Sequence, residues 1–531
     1  MSFSGRALHE QCAAFCARSR VCSNMPNSIV RSVLLSLFLV VLCIYIGAEV
    51  AEDRTVALGT ICVLVGTVFM IWVGKRSWVL IYLLPPVISL LPLPGKLSSV
   101  PVMFLVSVLV LFYWFVMWGM GYVRVKWRSL LVLDLLVLVM FGYMVASYVR
   151  HPVSLAIFGY DAEFVGGKEY VWCIVATLHY ITISCIPCDY EQLRKVTHWG
   201  VRLSVAACLL GIVLALVGVR GSTDITQLSE DAVNTRFTMF VMIGTYGIYY
   251  LYGRYPILRI LASPGILFGC ALSLFGVVLS GAREYLMGKC FLIATLAVIK
   301  RELWILTLMG VACYGALLYL SAEGIVEKFP HGVQRCFSVL PGVKIDREIR
   351  AGTEHSSEWR IEMWRWALDP RTNYIQDYVW GDGFGQSVDY LRRETTAMMR
   401  GTVQFGDQDF FASTGTWHSG VITTIHRLGY VGLSLVALLS LTGTFLMYRA
   451  GFAWYGTGMF LPFMFYTMSF AEDVPIYFIS AGALPYFFKM YMALAFIKLF
   501  YCVGRERGCI VPMLQPQRYV PLVIREQEAQ N

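Results

Sequence analysis

Continuous apolar runs of bilayer-spanning length recur along most of this chain, and they limit its fold more than any other feature. Ser32 to Ala48 and Val100 to Gly119 are two of them. A hydrocarbon layer about 30 Å thick needs about 20 residues of helix to cross it. It offers no water to backbone N–H and C=O groups, so a crossing segment must be a helix or a strand of a closed barrel. Barrel strands alternate apolar and polar residues. These runs do not alternate, and the expected fold class is an all-α polytopic membrane protein. Composition agrees: 57% of the 531 residues are hydrophobic and only 15% are charged, against about 25% charged in soluble domains.

About 14 runs approach spanning length. They fall near 30–49, 56–73, 77–93, 101–121, 129–148, 170–188, 203–219, 238–253, 261–281, 284–299, 303–320, 428–448, 453–470 and 476–501. The run 77–93 is broken by Pro85, Pro86 and Pro92, and 284–299 is short. Without those two the count is about 12, and both chain ends keep their side. Basic residues of membrane proteins gather in cytoplasmic loops. With a cytoplasmic N-terminus, every short inside loop is basic, including Lys75 with Arg76, Arg124 to Arg128, Arg194 with Lys195, and Lys300 with Arg301. The opposite turns are more acidic, as at Asp224 to Asp231 and at Glu472 with Asp473, although Arg54, Lys96, Arg220 and Arg236 also fall there.

This alternation predicts a cytoplasmic segment 1–28 and transmembrane helices over 29–321. An external loop over 322–427, further helices over 428–502 and a cytoplasmic tail 503–531 complete the expected order. The net charge of +9 then reflects inside loops facing the membrane surface, and no nucleic acid is expected as a partner. The first run begins late and lacks a small-residue cleavage site, so it is expected to be a retained helix. Of the 15 cysteines, many sit in apolar runs as small hydrophobes. Neither Cys12, Cys16 and Cys22 nor the pair Cys185 and Cys188 has the spacing and company of a zinc or redox module.

The loop, roughly 106 residues by that division, is far longer than ordinary connections. It is rich in Trp, Tyr, Arg and Gly. Thr353 to Leu368 reads as an amphipathic helix with Trp359, Met363, Trp366 and Ala367 on one face. Downstream, Gly381-Asp382-Gly383-Phe384-Gly385 reads as a tight turn with close backbone approach; it lacks the lysine and the strand-to-helix setting of a nucleotide loop.

Four polar residues stand out at helix ends or in the loop. Arg283, in Ser280-Gly281-Ala282-Arg283, lies between two apolar runs on the outer side. Snorkelling to headgroups explains such an arginine; so does an anionic ligand, because a guanidinium fork matches phosphate oxygens. Arg360 can pair with acids beside it or face a ligand. Arg236 and the neighbouring Arg220 can be anchors or part of one basic cluster. His418 stands where the loop re-enters the membrane. A lone histidine is more often structural, yet it is the side chain best suited to proton transfer near neutral pH. No carboxylate cluster or His spacing suggests a metal site.

The order of these elements resembles the O-antigen ligase and O-antigen polymerase family of membrane glycosyltransferases over roughly residues 200–450. Ser280 to Arg283 is similar to that family's Ser-Arg-Gly-like element. Arg360 with Trp364, Ala367 and Leu368 is similar to its loop helix, and Gly381 to Gly385 to its glycine turn. His418 followed by Gly429 and Gly432 has the spacing of its last element. Ser419 stands where asparagine is usual, and Arg427 where glutamate is usual.

The resemblance implies a C-type glycosyltransferase-like fold in a bacterial inner membrane, with both termini cytoplasmic and the active site periplasmic. It implies metal-independent, inverting transfer of a glycan from an undecaprenyl-pyrophosphate-linked donor to a hydroxyl of an acceptor glycan or lipid A-core, with no cofactor. His418 would be the general base, and Arg283, Arg360 and Arg236 would hold the pyrophosphate. Ligase and polymerase remain open. The alternative from another class is a transporter or flippase of lipid-linked saccharides, for which inverted repeats and interrupted helices would be the usual signs.

Overall fold

A segment that crosses hydrocarbon must pair every backbone N–H and C=O within itself, and the described residues of this chain are almost wholly helical. The computed structural model describes residues 111–112, 115–119, 121 and 126–510, with 154–163, 187, 217–237, 280–282, 339, 388–416 and 480–484 excepted. In order the elements are α1 (Leu131–Arg150), β1 (Phe164–Val165), α2 (Gly167–Cys185), α3 (Tyr190–Leu216), α4 (Thr238–Arg254), α5 (Ile257–Ala262) and α6 (Pro264–Leu279). Then come α7 (Arg283–Lys300), α8 (Leu303–Ala322), α9 (His331–Phe337), α10 (Arg347–Leu368) and β2 (Gln386–Ser387). The last are α11 (Gly420–Trp454), α12 (Phe460–Thr467), α13 (Ser469–Ile479) and α14 (Pro485–Glu506). β1 and β2 pair antiparallel through Phe164–Ser387 and Val165–Gln386.

Three described helices, α1, α8 and α11, are long and apolar enough by length and composition to cross a membrane. The 20 residues of α1 span about 30 Å at 1.5 Å per residue. Their outer faces carry large exposed apolar side chains, among them Leu131, Val149, Val311 and Leu441. Apolar faces of that extent call for a non-aqueous surround. The runs 30–49, 56–73 and 77–93, and most of 101–121, lie outside the described residues.

Where run and helix differ, the cause is local. Residues 203–216 of the run 203–219 are part of α3, which starts at Tyr190. Asp189 Oδ1 accepts from Gln192 N at 2.7 Å and Gln192 Oε1 from Asp189 N at 3.4 Å, a reciprocal cap that starts the helix in polar sequence. As far as Leu279 the run 261–281 is divided between α5 and α6, because Pro264 drives Ser263 to extended geometry, φ −117 and ψ 103. The run 428–448 is the later part of α11, which begins at Gly420 and bends at Gly429, φ 62. In place of 453–470 and 476–501 the chain forms α12, α13 and α14. Glu472, expected in an outer turn, lies inside α13 and pairs with Lys289 of α7.

Buried charges are tied to one another or to helix ends. Asp134 accepts from Tyr180 at 2.6 Å and from Lys498 at 2.5 Å, which joins α1, α2 and α14. Lys300 donates to the carbonyls of Tyr252 and Tyr255, capping the end of α4 with a cation. Arg128 reaches Cys188 O at 2.6 Å and Glu506 at 3.3 Å. The principal core runs through these helices, with Phe463, Phe470, Tyr491 and Phe500 fully enclosed.

The loop segment has cores of its own. Val326, Val343, Ile345 and Ile349 form one. Met363 and Ala367 of α10 form another with Trp417 and Ile422. α10 starts at Arg347, earlier than the expected Thr353, because Asp346 accepts from Glu348 N at 2.8 Å as its N-cap. Of the expected apolar face, Met363 and Ala367 are fully buried and Trp359 is partly so. Trp366 is instead 40% exposed, stacked on Tyr374. Trp364 points inward and donates from Nε1 to Trp417 O at 2.8 Å.

Candidate functional site

Two loop elements and one helix end build the site. α10 carries Arg360, and the segment Trp417-His418-Ser419 leads into α11. The Ser419 side chain caps α11 by accepting from Ile422 N at 3.4 Å. Trp417 is completely buried. Between these two anchored residues, His418 sits at φ 47, a left-handed conformation uncommon for any residue with a Cβ.

The His418 ring meets Trp359 edge to face at 5.8 Å. Burial pushes the His418 imidazole below its ordinary value, and the positive charge of Arg360 adds to that shift. The side chain is therefore held in its neutral, proton-accepting form near neutral pH. Arg360 is half-buried, and its Nε is buried without a hydrogen-bond partner in the protein. An arginine donor left unspent beside a neutral histidine suits an anionic ligand.

Arg283 is the first residue of α7 and is half-buried. Helix direction locates it. The α7 residues Gly288 and Lys289 face Ile476 and Glu472 of α13. At the other end of α7, Ile299 packs beside Gly451, which also faces Phe463 of α12. α7 thus runs opposite to the α12–α13 course, and its start points toward the end of α13. Gly420, two residues past His418, lies against Tyr477 at that same end, and Thr424 bonds to the Tyr477 hydroxyl. Arg360 is near enough to His418 to act on its charge state, and the start of α7, which carries Arg283, is directed toward the end of α13 against which Gly420 packs. Arg236 and most of the Ser280–Arg283 element, residues 280–282, lie outside the described residues. Among the described residues, no group of three or more His, Cys, Asp or Glu side chains could hold a metal ion.

The glycine turn docks on the bend of α11. Gly381 and Gly383 have φ of 79 and 75. Asp382 N donates to His426 O at 2.8 Å and Gly383 N to Arg427 O at 3.0 Å. Past the bend, Tyr430 N and Val431 N donate to Tyr378 O and Val379 O at 2.8 and 3.2 Å. The Asp382 carboxylate accepts from Gln376 N and Asp377 N, at 2.9 and 2.8 Å. Asp377 in turn accepts from Trp380 N at 2.9 Å and pairs with Arg150 at 2.8 Å. Those two contacts, the backbone one foremost, hold its carboxyl below the usual range.

Sequence reasoning assigned no role at the site to Arg427, His426 or the Asp382 carboxylate. Buried Arg427 donates to the carbonyls of Gly383 and Gly385 at 3.1 and 3.3 Å. His426 accepts from Trp417 Nε1 at 2.9 Å, and its Nε2 lies 3.4 Å from Asp382 Oδ2. A signal was present in the adjacency of His426 and Arg427 close to His418, but the Arg427 partners lie 44 and 42 positions away in sequence. Compared with known proteins, the sequence matches no family model and no curated protein.

Proposed function

We propose that this chain is a membrane glycosyltransferase of the O-antigen ligase or polymerase type, with about 12 to 14 membrane helices in a C-type glycosyltransferase-like arrangement. It would move a glycan from an undecaprenyl-pyrophosphate-linked donor to an acceptor sugar hydroxyl. One observation carries the reading: His418, held in a left-handed conformation, lies within the electrostatic reach of Arg360, whose buried Nε has no hydrogen-bond partner in the protein, in the sequence order the resembled family shows. A sugar hydroxyl is a weak nucleophile, and His418 would take its proton as the new glycosidic bond forms. The leaving group is a lipid pyrophosphate, whose growing negative charge Arg360 and Arg283 would stabilise. A single displacement inverts the anomeric centre.

The reading of a transporter of lipid-linked saccharides has its own observation, the ion pair Lys289–Glu472 inside the bundle, since charges at that depth often line transport paths. Each charge there has a partner, with Tyr249 donating to Glu472 at 3.3 Å, and a packing role accounts for them. Deletion of the gene in its host, followed by analysis of surface polysaccharide, separates the possibilities. A ligase leaves polymerised chains on the lipid, and a polymerase leaves single repeats. A transporter leaves its substrate on the cytoplasmic side. Unchanged surface polysaccharide counts against all three.

A further inference from the structure

His418 occupies a backbone conformation that an ordinary side chain disfavours, so its surroundings must impose it. The Ser419 cap holds one side of it, and the larger set of contacts lies on the residue before it. Trp417 is fixed at each of its polar atoms. Its N donates to Thr423 Oγ1 at 3.1 Å, its O accepts from Trp364 Nε1 at 2.8 Å, and its Nε1 donates to His426 Nδ1 at 2.9 Å. Because Nδ1 of His426 accepts, the ring proton sits on Nε2, which faces Asp382 Oδ2 at 3.4 Å. Asp382 is itself fixed by the amides of Gln376 and Asp377. A line Asp382–His426–Trp417, buried at its last two members, therefore runs from the glycine turn, across the first turns of α11, to the peptide that carries His418.

We infer that His426 and Trp417 are positioning residues for His418, setting where its imidazole sits relative to the acceptor hydroxyl. The inference rests on the glycosyltransferase reading. It also gives the glycine turn a role, since the turn delivers the carboxylate that orients His426. Neither residue is placed to touch substrate; both act through the Trp417–His418 peptide.

The test uses the full-length protein in proteoliposomes, with the lipid-linked saccharide pool extracted from a deletion strain as donor. Rates are normalised to protein that elutes as a folded species. Trp417→Phe removes the indole donor and keeps the ring, and His426→Leu removes the acceptor. Each is expected to lower kcat about 10- to 100-fold, the range for a misplaced reacting group, with KM for the donor unchanged. His426→Asn, whose Oδ1 can take the Nδ1 bond, is expected to recover part of that loss. Trp454→Phe is the control. It deletes another buried indole bond, to Phe500 O at 3.2 Å at the far end of α11, and should leave kcat intact.

His418→Ala is run alongside. If it is inactive while Trp417→Phe and His426→Leu keep wild-type kcat, the positioning role is refuted and the glycosyltransferase reading stands. If His418→Ala transfers glycan normally, both fall. Equal losses in His426→Leu and His426→Asn would also overturn the inference, because they would show that the acceptor atom is not what counts.

Discussion

Replacing Gly381 with alanine should detach the glycine turn from the bend of α11, and the structure sets the scale of the damage. At φ 79 an alanine pays about 1 kcal/mol or more for the left-handed conformation. Its Cβ would stand 2.5 Å from Arg427 C and 2.5 Å from Gly429 N. Both are backbone atoms that no rotamer change can move aside. The turn must lift, and the bonds Asp382 N to His426 O and Gly383 N to Arg427 O stretch or break, at about 0.5–1.5 kcal/mol each. The expected loss is about 2–5 kcal/mol. SDS titration of the purified protein in mixed micelles measures it, and limited proteolysis should find the loop opened. Gly352 provides the opposite sign. It is exposed within α10, with nothing within 4 Å of the methyl group an alanine would add, so Gly352→Ala should gain about 0.5–1 kcal/mol from helix propensity. A Gly381→Ala protein as stable and protease-resistant as wild type would refute the docking argument.

Removing one member of the Lys289–Glu472 pair, as in Glu472→Leu, leaves a buried charge uncompensated and should cost about 3–5 kcal/mol. The double variant Lys289→Met with Glu472→Leu should recover most of it in the same titration, and additive losses would contradict the pairing. The pH profile of transfer tests the environment of His418. A general base works unprotonated, and burial and Arg360 both lower the imidazole from its ordinary 6.5, so the acid limb of kcat/KM should fall below pH 6.5. Arg360→Gln removes the second cause, and the limb of its residual activity should move up while remaining below 6.5. A limb above 6.5 in the wild type, or one that Arg360→Gln leaves in place, would contradict this account.

The helices were legible where one property decides them. The runs 129–148 and 303–320 lie within two residues of α1 and α8 at each end, because continuous apolar sequence has one solution in hydrocarbon. Reading failed where charge mattered. Glu472 looked like a turn residue because a carboxylate between apolar runs is costly inside a bilayer. Its partner Lys289 is 183 positions away, and the distance along the chain hides the neutralisation. Lys498 and Asp134, 364 positions apart, repeat the lesson. At the site, the order of Arg283, Arg360, the glycine turn and His418 could be read directly. Arg427 could be read only as a departure from the expected glutamate. Its partners are the carbonyls of Gly383 and Gly385, and no side-chain pattern in the sequence announces a backbone acceptor. The Asp382–His426–Trp417 line was hidden for the same reason: it exists only once the turn has docked.

Glycan transfer by His418→Ala tests the central claim most directly. The protein is reconstituted with extracted lipid-linked donor and acceptor, beside wild type at equal folded amounts. The account predicts a protein that inserts and elutes normally but transfers no glycan, since the acceptor hydroxyl has lost its base. Transfer at the wild-type rate would contradict it.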